Sequence, residues 1–512
     1  ALAIDPSDGN HVIASYVNVQ LDFDTLYETR DGGLSWRKNA ASGIDPGFQG
    51  GFAWYFGKLR VNPYQPSDWW ILGVVSYRSQ DGGQTWDLVP GQNVHPDHHD
   101  VCFLGKESFL LATDGGLYRS TDNGDNWIKT EDIPATQFYR VAYNPFTPND
   151  YYGGAQDNGT VTGNAAGKNE WVPVAGGDGF QAVFHPVNSA IQYYEYQNGA
   201  IICSMDGGKN FIGGTSGMEA TDRRSWDMPY LMSRHQPDDM YAGTYRVYAS
   251  SSHPAQWKPV SPDLTNGIVY APRFHVISTL DESPLDRYLL YVGTTDGNVW
   301  RGYAHTQKWE KIDAGLPERY VSSVKASFNE PDRVFVAYTG YRDNDFTPRL
   351  YRSDDRGQSW RSIAGDLPDL AINDIQPMPG HQDSLLFVAT DGGVYATLDG
   401  GKHWERLGQG MPVVPVYDLE LQPSQKTLFA GTHARSIFSF PLDSLRIGAD
   451  VSVLDLHASK VPVLTVHPAL AVDRVQISLL NLNSSQTAQV VVSTLSGQVL
   501  WKENLRAFQR QP

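Results

Sequence analysis

Four polar stretches stand outside the regular pattern of this chain and carry residue types that can do chemistry. They are HPDHHD (95–100), GAQDNG (154–159), GGDGF (176–180) and GTHARS (431–436). The first packs three histidines and two aspartates into six residues. Imidazole and carboxylate are metal ligands, but a metal site needs donors that converge from separate elements, and neighbours along one loop splay apart. The stretch therefore reads as a hydrogen-bonded loop anchor with no metal assigned. It leaves His95, Asp97 and His98 as polar groups for a ligand. Asp157 and Asp178 suggest something else, because two carboxyl groups facing each other across a cleft are the acid and base of glycoside hydrolysis. The glycines around each make a tight-turn role an equal alternative. His433 adds a further polar group on a non-repeating loop. None of these stretches calls for a cofactor.

The elements that must position these loops are announced by a repeat. TRDGGLSW (29–36) reads Ser/Thr-x-Asp-x-Gly-x-x-aromatic, and the pattern returns as SQDGGQTW (79–86), STDNGDNW (120–127), SMDGGKNF (204–211), SDDRGQSW (353–360) and TLDGGKHW (397–404). Asp and Gly at fixed offsets make a turn: the carboxylate folds onto nearby backbone N–H groups and glycine takes positive φ. The structural residues of the six copies are Asp31, Gly33 and Trp36; Asp81, Gly83 and Trp86; Asp122, Gly124 and Trp127; Asp206, Gly208 and Phe211; Asp355, Gly357 and Trp360; and Asp399, Gly401 and Trp404. Three further units keep only the aromatic, as Trp171, Trp257 and Trp309. The nine aromatics recur at gaps of 40 to 52 residues. Strand–turn–strand units at that period are the signature of a β-propeller, and the nine side chains are expected to pack between blades or sheet layers.

Ten such units fit into the chain, the seventh opening near Val269 and the tenth lacking a fourth strand. In a propeller blade the turn between strands three and four lies on one face. The turn between strands two and three lies on the other, with the loops joining blades. The repeated aspartates occupy the first kind of turn and are assigned structure rather than catalysis. The four irregular stretches occupy the second face, where loops vary and function concentrates. His95, Asp97, His98, Asp157 and Asp178 are therefore expected to be exposed there. Asp114, Asp296 and Asp391 recur in TDG turns on the same face and, being repeated, read as turn formers.

The repeat resembles the Asp-box, or BNR repeat, of sialidases, sortilin-like proteins and xyloglucanase-like glycoside hydrolases, over about residues 1–445. The resemblance implies an all-β fold. The expected partition is one complete seven-bladed propeller at 133–446 preceded, at 1–132, by the last three blades of another, with about four blades upstream. A single ten-bladed ring is the alternative. A sialidase would need an arginine triad and a tyrosine nucleophile, and neither is evident. The catalytic aspartates of xyloglucanases find no residue-by-residue match.

After Leu445 the repeat stops. The stretch VPVLTVHPALAVDRVQISLLNLNSSQTAQVVVSTLSGQVLWKENL alternates apolar and polar residues in short runs, as a half-buried sandwich does. It is similar to the C-terminal sorting domain of proteins exported by the bacterial type IX secretion system; STLSGQVL (493–500) matches well, whereas HPALAVDRV stands where an Asn-Pro pair is usual. A small, truncated β-sandwich at 447–512 is expected on that likeness. Asp24-Thr25-Leu26, Asp383-Ser384-Leu385 and Asp443-Ser444-Leu445 resemble O-glycosylation triplets of Bacteroidota.

Composition narrows the partners. A net charge of −17 leaves no basic footprint for nucleic acid or anionic lipid, and no apolar run reaches membrane-helix length. The chain opens at Ala1 in a strand without a signal peptide, so upstream sequence is expected. Cys102 and Cys203 fall in different units and read as two buried free thiols, a disulfide being the alternative. Together these readings point to a protein outside the cell or on the outer surface of a Gram-negative bacterium. There it would bind a glycan or protein ligand through entrance-face loops, with the secretion machinery as its second partner. Glycoside hydrolysis in a cleft between two propellers is the alternative.

Overall fold

The computed structural model describes residues 1–445 except Asp132, Ala271, Pro272 and Gln409, and then four strands, Val463–His467, Gln476–Leu480, Thr487–Ser493 and Val499–Arg506. Ten antiparallel sheets follow one another along 2–441. Nine have four strands in sequence order from inner to outer edge, and the tenth has three. The fold is an all-β array of propeller blades. Blades one to three cover 2–39, 58–88 and 98–129. Blades four to ten cover 138–175, 182–213, 230–259, 277–311, 320–362, 372–406 and 416–441. Beyond them the four described strands pair as two antiparallel hairpins. The rest of the expected sandwich falls outside the described residues.

Each repeated turn closes the same way. In 353–360 the Ser353 hydroxyl donates to Asp355 at 2.7 Å, the Gly357 N–H donates to the Ser353 oxygen at 2.7 Å, and the Ser359 N–H donates to Asp355 at 2.9 Å. The other five turns repeat these contacts. The side chain four residues on, a hydroxyl or an amide, donates to the carboxylate and is the main reason Asp31, Asp81, Asp206 and Asp355 are held down to about 2. An acid tied up by its own turn is a structural acid.

The core lies between blades. One apolar cluster joins blades one and two around Trp69 and Trp86, and the next joins blades two and three around Trp70 and Trp127. A second series of clusters runs unbroken from blade four to blade ten. It returns from ten to four, where Ile437 packs with Phe138 and Trp171, the Val141 N–H donates to Asp418 at 2.8 Å, and the Ser436 N–H donates to the Thr136 carbonyl at 3.1 Å. Among the described residues no apolar cluster spans blades three and four; their contact is polar.

Several expectations need correction. Trp36 is 43% exposed rather than packed between blades. Blade seven opens at Ile277, since the apolar run near Val269 makes an extra hairpin in the inter-blade loop, Ile268–Tyr270 with Arg273–Phe274. Cys203 is a buried free thiol but Cys102 is exposed, on the inner strand of blade three. Asp383, in one of the glycosylation-like triplets, is buried and accepts from Ser327, Asn329 and Arg333; Thr25, in another, is also buried.

Candidate functional site at the junction of blades three and four

The inter-blade loop 95–100 is held by the blades it joins. The Asp97 and His98 N–H groups donate to the Val74 and Gly73 carbonyls of the blade-two turn, and the Asp114 N–H donates to the Asp97 carbonyl. Gly115 lies flat against the His95 ring, where any side chain would collide. Asp157 is presented by the turn between strands two and three of blade four, and Asp178 by the loop into blade five. Side chains at Gly154, Gly159 and Gly179 would run into the opposing backbone, so these glycines let GAQDNG and GGDGF pack main chain to main chain. That answers what the flanking glycines do: they bring the two loops together and with them Asp157 and Asp178.

Across the junction one carboxylate oxygen from each of Asp97, Asp114 and Asp157 lies within 4.8 Å of the others. Asp97 and Asp157 hold left-handed backbone, φ 65° and 59°, which aspartate tolerates better than most residues. Burial, then the Asp114 charge, pushes the carboxyls of Asp97 and Asp157 up; burial, then Asp157, pushes up Asp178. His99 Nε2 lies 2.6 Å from Asp114 Oδ1. His95 Nε2 reaches the Asp157 carbonyl at 2.9 Å, and the Asn158 amide donates to the Asp114 carbonyl at 3.0 Å. Three carboxyl groups this close repel when ionised, and a proton or an oxygen-seeking cation relieves the repulsion.

Aromatic rings flank the acids on both sides. The single helical turn Ala53–Phe56 carries Trp54 and Tyr55, 64% and 57% exposed, and Tyr55 meets the His99 ring edge-on at 5.5 Å. On the blade-four side Tyr139 stacks on Phe180 at 4.9 Å, and Phe180 meets Trp226, itself 48% exposed, at 5.9 Å. His433 of blade ten stacks on Tyr417 at 4.7 Å and tilts against Tyr139 at 5.4 Å.

The sequence-derived site residues are thus brought to one region, with two changes of role. His98 is buried, its ring bonded to the Ser76 hydroxyl at 2.7 Å, and burial takes it down to about 4. It anchors the loop and offers nothing to a ligand. Asp178 is only 6% exposed and accepts from the Gln197 amide at 3.1 Å. Asp114, which repetition assigned to a turn, belongs to the acid cluster. Its counterparts Asp296 and Asp391 instead accept from Asn266 and Asn298 and from Asn373. Its only sequence signal is its place on the entrance-side turn nearest the junction. Trp54, Tyr55 and Trp226 stand on inter-blade loops and carry no repeat to mark them.

A second trio, His185, Asp238 and His253, has the residue types of a metal site and ligand atoms within 4.8 Å of one another. Its hydrogen bonds argue otherwise. His185 Nδ1 accepts from the Val187 and Asn188 N–H groups, so its proton sits on Nε2, facing Asp238 at 3.6 Å. His253 Nδ1 takes the Tyr193 hydroxyl at 2.8 Å and its Nε2 faces the Pro237 carbonyl at 3.3 Å. Both nitrogens toward Asp238 therefore carry hydrogen rather than a free lone pair, and the trio staples blades five and six.

No family model matches the chain. Among curated proteins it is 27% identical over 205 residues to a probable oligoxyloglucan-reducing end-specific xyloglucanase of Neosartorya fischeri, covering 27% of this chain and 25% of that one. It is 34% identical over 148 residues to xyloglucanase Xgh74A of Acetivibrio thermocellus, 25% and 17% of the two chains. It is 25% identical over 109 residues to the photosystem II stability/assembly factor HCF136 of Arabidopsis thaliana, 20% and 25%. The matches span a quarter or less of the length of these relatives. Among solved structures, a GH74 enzyme of Niastella koreensis aligns at 12% identity and a TM-score of 0.34, covering 86% of this chain and 83% of that one.

Proposed function

We propose that this chain is a polysaccharide-binding β-propeller protein of the cell exterior, with its binding cleft at the junction of blades three and four. The observation that carries the reading is the convergence of Asp97, Asp114 and Asp157 from both sides of the junction, between exposed Trp54 and Tyr55 on one side and Trp226 on the other. Sugar rings offer apolar faces to aromatic side chains and hydroxyls to carboxylates, and a site that mixes the two suits a glycan. Residues 133–446 form the seven-bladed ring on this reading and 1–132 belong to a second propeller, so the cleft lies between propellers. The resemblance of 447–512 to a type IX sorting domain supports export to the surface.

Hydrolysis is a second reading. It is favoured by the raised carboxyls of Asp157 and Asp178, as a general acid requires, and by the partial similarity to proteins named xyloglucanases. Affinity electrophoresis of the 512-residue chain through a panel of polysaccharides that includes xyloglucan tests binding. Retardation is expected, and Trp54→Ala with Tyr55→Ala should weaken it about tenfold, as loss of an aromatic anchor does. Mobility unaffected by every polysaccharide would overturn the proposal. A reducing-end assay separates the readings: hydrolysis abolished by Asp157→Asn or Asp178→Asn, with folding intact, replaces binding alone by catalysis.

A further inference from the structure

Glu195, on the second strand of blade five, is fully buried. Its Oε1 accepts from the Met228 N–H at 2.7 Å, and its Oε2 is buried with no donor among the described residues. Asp227, the neighbour of Met228 in sequence, shows the same defect. Its Oδ2 takes the Arg140 guanidinium at 2.8 Å, through Nε and Nη2, while its Oδ1 is buried with no donor among the described residues. Other groups that bear on the pair are committed elsewhere. The Tyr230 hydroxyl of blade six donates to the Gln181 carbonyl at 2.8 Å, and Asp418 of blade ten accepts the Val141 N–H and, at 3.3 Å, the remaining arm of Arg140. Tyr320 of blade eight also faces Asp227.

Two ionised carboxylates here would leave two buried acceptors bare and two negative charges out of water. One proton removes both faults, because a protonated carboxyl gains an O–H donor. Arg140 decides where that proton resides. Asp227 has the guanidinium on its other oxygen and stays ionised, whereas Glu195 has no ion-pair partner among the described residues. Burial, then the Asp227 charge, pushes the Glu195 carboxyl well up, against the pull of Arg140 and of the Met228 and Gln181 N–H groups. The segment so held carries an exposed ring of the candidate site. Three consecutive residues are fastened in turn: the Trp226 carbonyl accepts from the Asn198 N–H at 3.0 Å, Asp227 holds Arg140, and the Met228 N–H holds Glu195.

We propose that Glu195 is a hydrogen-bond donor, its Oε2–H closing on Asp227 Oδ1, and that this bond makes it the positioning residue for Trp226. The significance for a ligand rests on the reading of the junction as a binding cleft; the bond itself does not. Glu195→Gln keeps an acceptor for Met228 and an N–H donor for Asp227 but has no proton to lose. Infrared spectra of the 512-residue chain at neutral pH should show the carbonyl stretch of a protonated carboxyl that the Gln variant lacks. Hydrogen exchange over 222–230, corrected for the intrinsic rate, supplies the second measurement. Opening this segment releases the proton, so its protection in the unsubstituted chain should fall about tenfold per pH unit until Glu195 ionises in the closed form. In the Gln variant protection should stay level. Identical infrared spectra overturn the inference, and so does the same pH slope in both chains. If the Gln variant fails to fold, carbon-13 spectra of the glutamate carboxyls take its place. One glutamate protonated at neutral pH should titrate about one unit lower or more in Asp227→Asn, and the absence of any protonated glutamate at neutral pH in the unsubstituted chain, or of that change in the variant, overturns the inference. Neither test uses a polysaccharide, so failure of the cleft reading leaves both intact.

Discussion

The imidazole of His95, on the loop into blade three, reaches the carbonyl oxygen of Asp157 on blade four, 2.9 Å from Nε2. That bond, with the Asn158 amide on the Asp114 carbonyl, joins the two series of blades where apolar packing stops. It also sets the two acid-bearing turns at a fixed distance.

Replacing His95 by alanine should loosen this junction more than it destabilises the fold. A net hydrogen bond contributes about 0.5–1.5 kcal/mol, so the melting temperature should fall only slightly. Hydrogen exchange in 95–100 and 154–159 should rise while the blade strands stay protected. Equal acceleration across blades four to ten would contradict a local role.

Asp157 gives a pH signature of a definite sign. Its carboxyl is raised in the folded state, so between the unfolded value and the folded one the native chain holds the extra proton, and stability falls as pH rises through that window. Above the folded value the burden is complete; below about 4, near the unfolded value, it is gone. Asp157→Asn should therefore raise the melting temperature at neutral pH, with the gain vanishing at about pH 4 or below. A gain of the same size at every pH would show that charge is not its source.

The repeated turns titrate in the opposite sense. Asp31, Asp81, Asp206 and Asp355 are held down to about 2, so their contribution is complete above the unfolded value and is lost as pH falls through about 2. Carboxyl chemical shifts should stay at the ionised value well below pH 4. Ser353→Ala removes the hydroxyl that accepts the buried Gly357 N–H, and should cost about 1–3 kcal/mol by denaturant melts.

Trp127 is 9% exposed and meets Trp70 edge-on at 6.4 Å, in the cluster between blades two and three. Trp127→Ala should cost about 3–5 kcal/mol. Its indole nitrogen has no partner among the described residues, so Trp127→Phe forfeits no hydrogen bond and should be much milder. Urea midpoints of the two variants compare them directly, and an equal loss in both would contradict this account.

Much of the fold is legible in the chain because its unit is local. Asp355, Gly357 and Trp360 lie within six residues, and the turn they make is closed by bonds reaching no further than four residues. Repetition of that unit implies strands that stack side by side. The same repetition hides the site. Asp114 has the sequence environment of Asp391 and differs only in what faces it, and Asp178 looks as open as Asp97 until the loop from blade four covers it. Trp54, Tyr55 and Trp226 become a flanking set only when loops 171 residues apart in sequence, from Tyr55 to Trp226, come together.

The sequence by itself determined the all-β blades, their number and the turns that the six repeated aspartates close. All of these follow from contacts within a turn or from a period of 40 to 52 residues. Only the tertiary structure decided that Phe138 and Ile437 close one series of blades on itself, that blades three and four meet through polar groups, and that Asp97, Asp114 and Asp157 converge there. The physical reason is that curvature accumulates from small rotations between neighbouring blades, each set by how large side chains such as Trp404 seat on the blade before. No local pattern records where such a sum brings distant loops together.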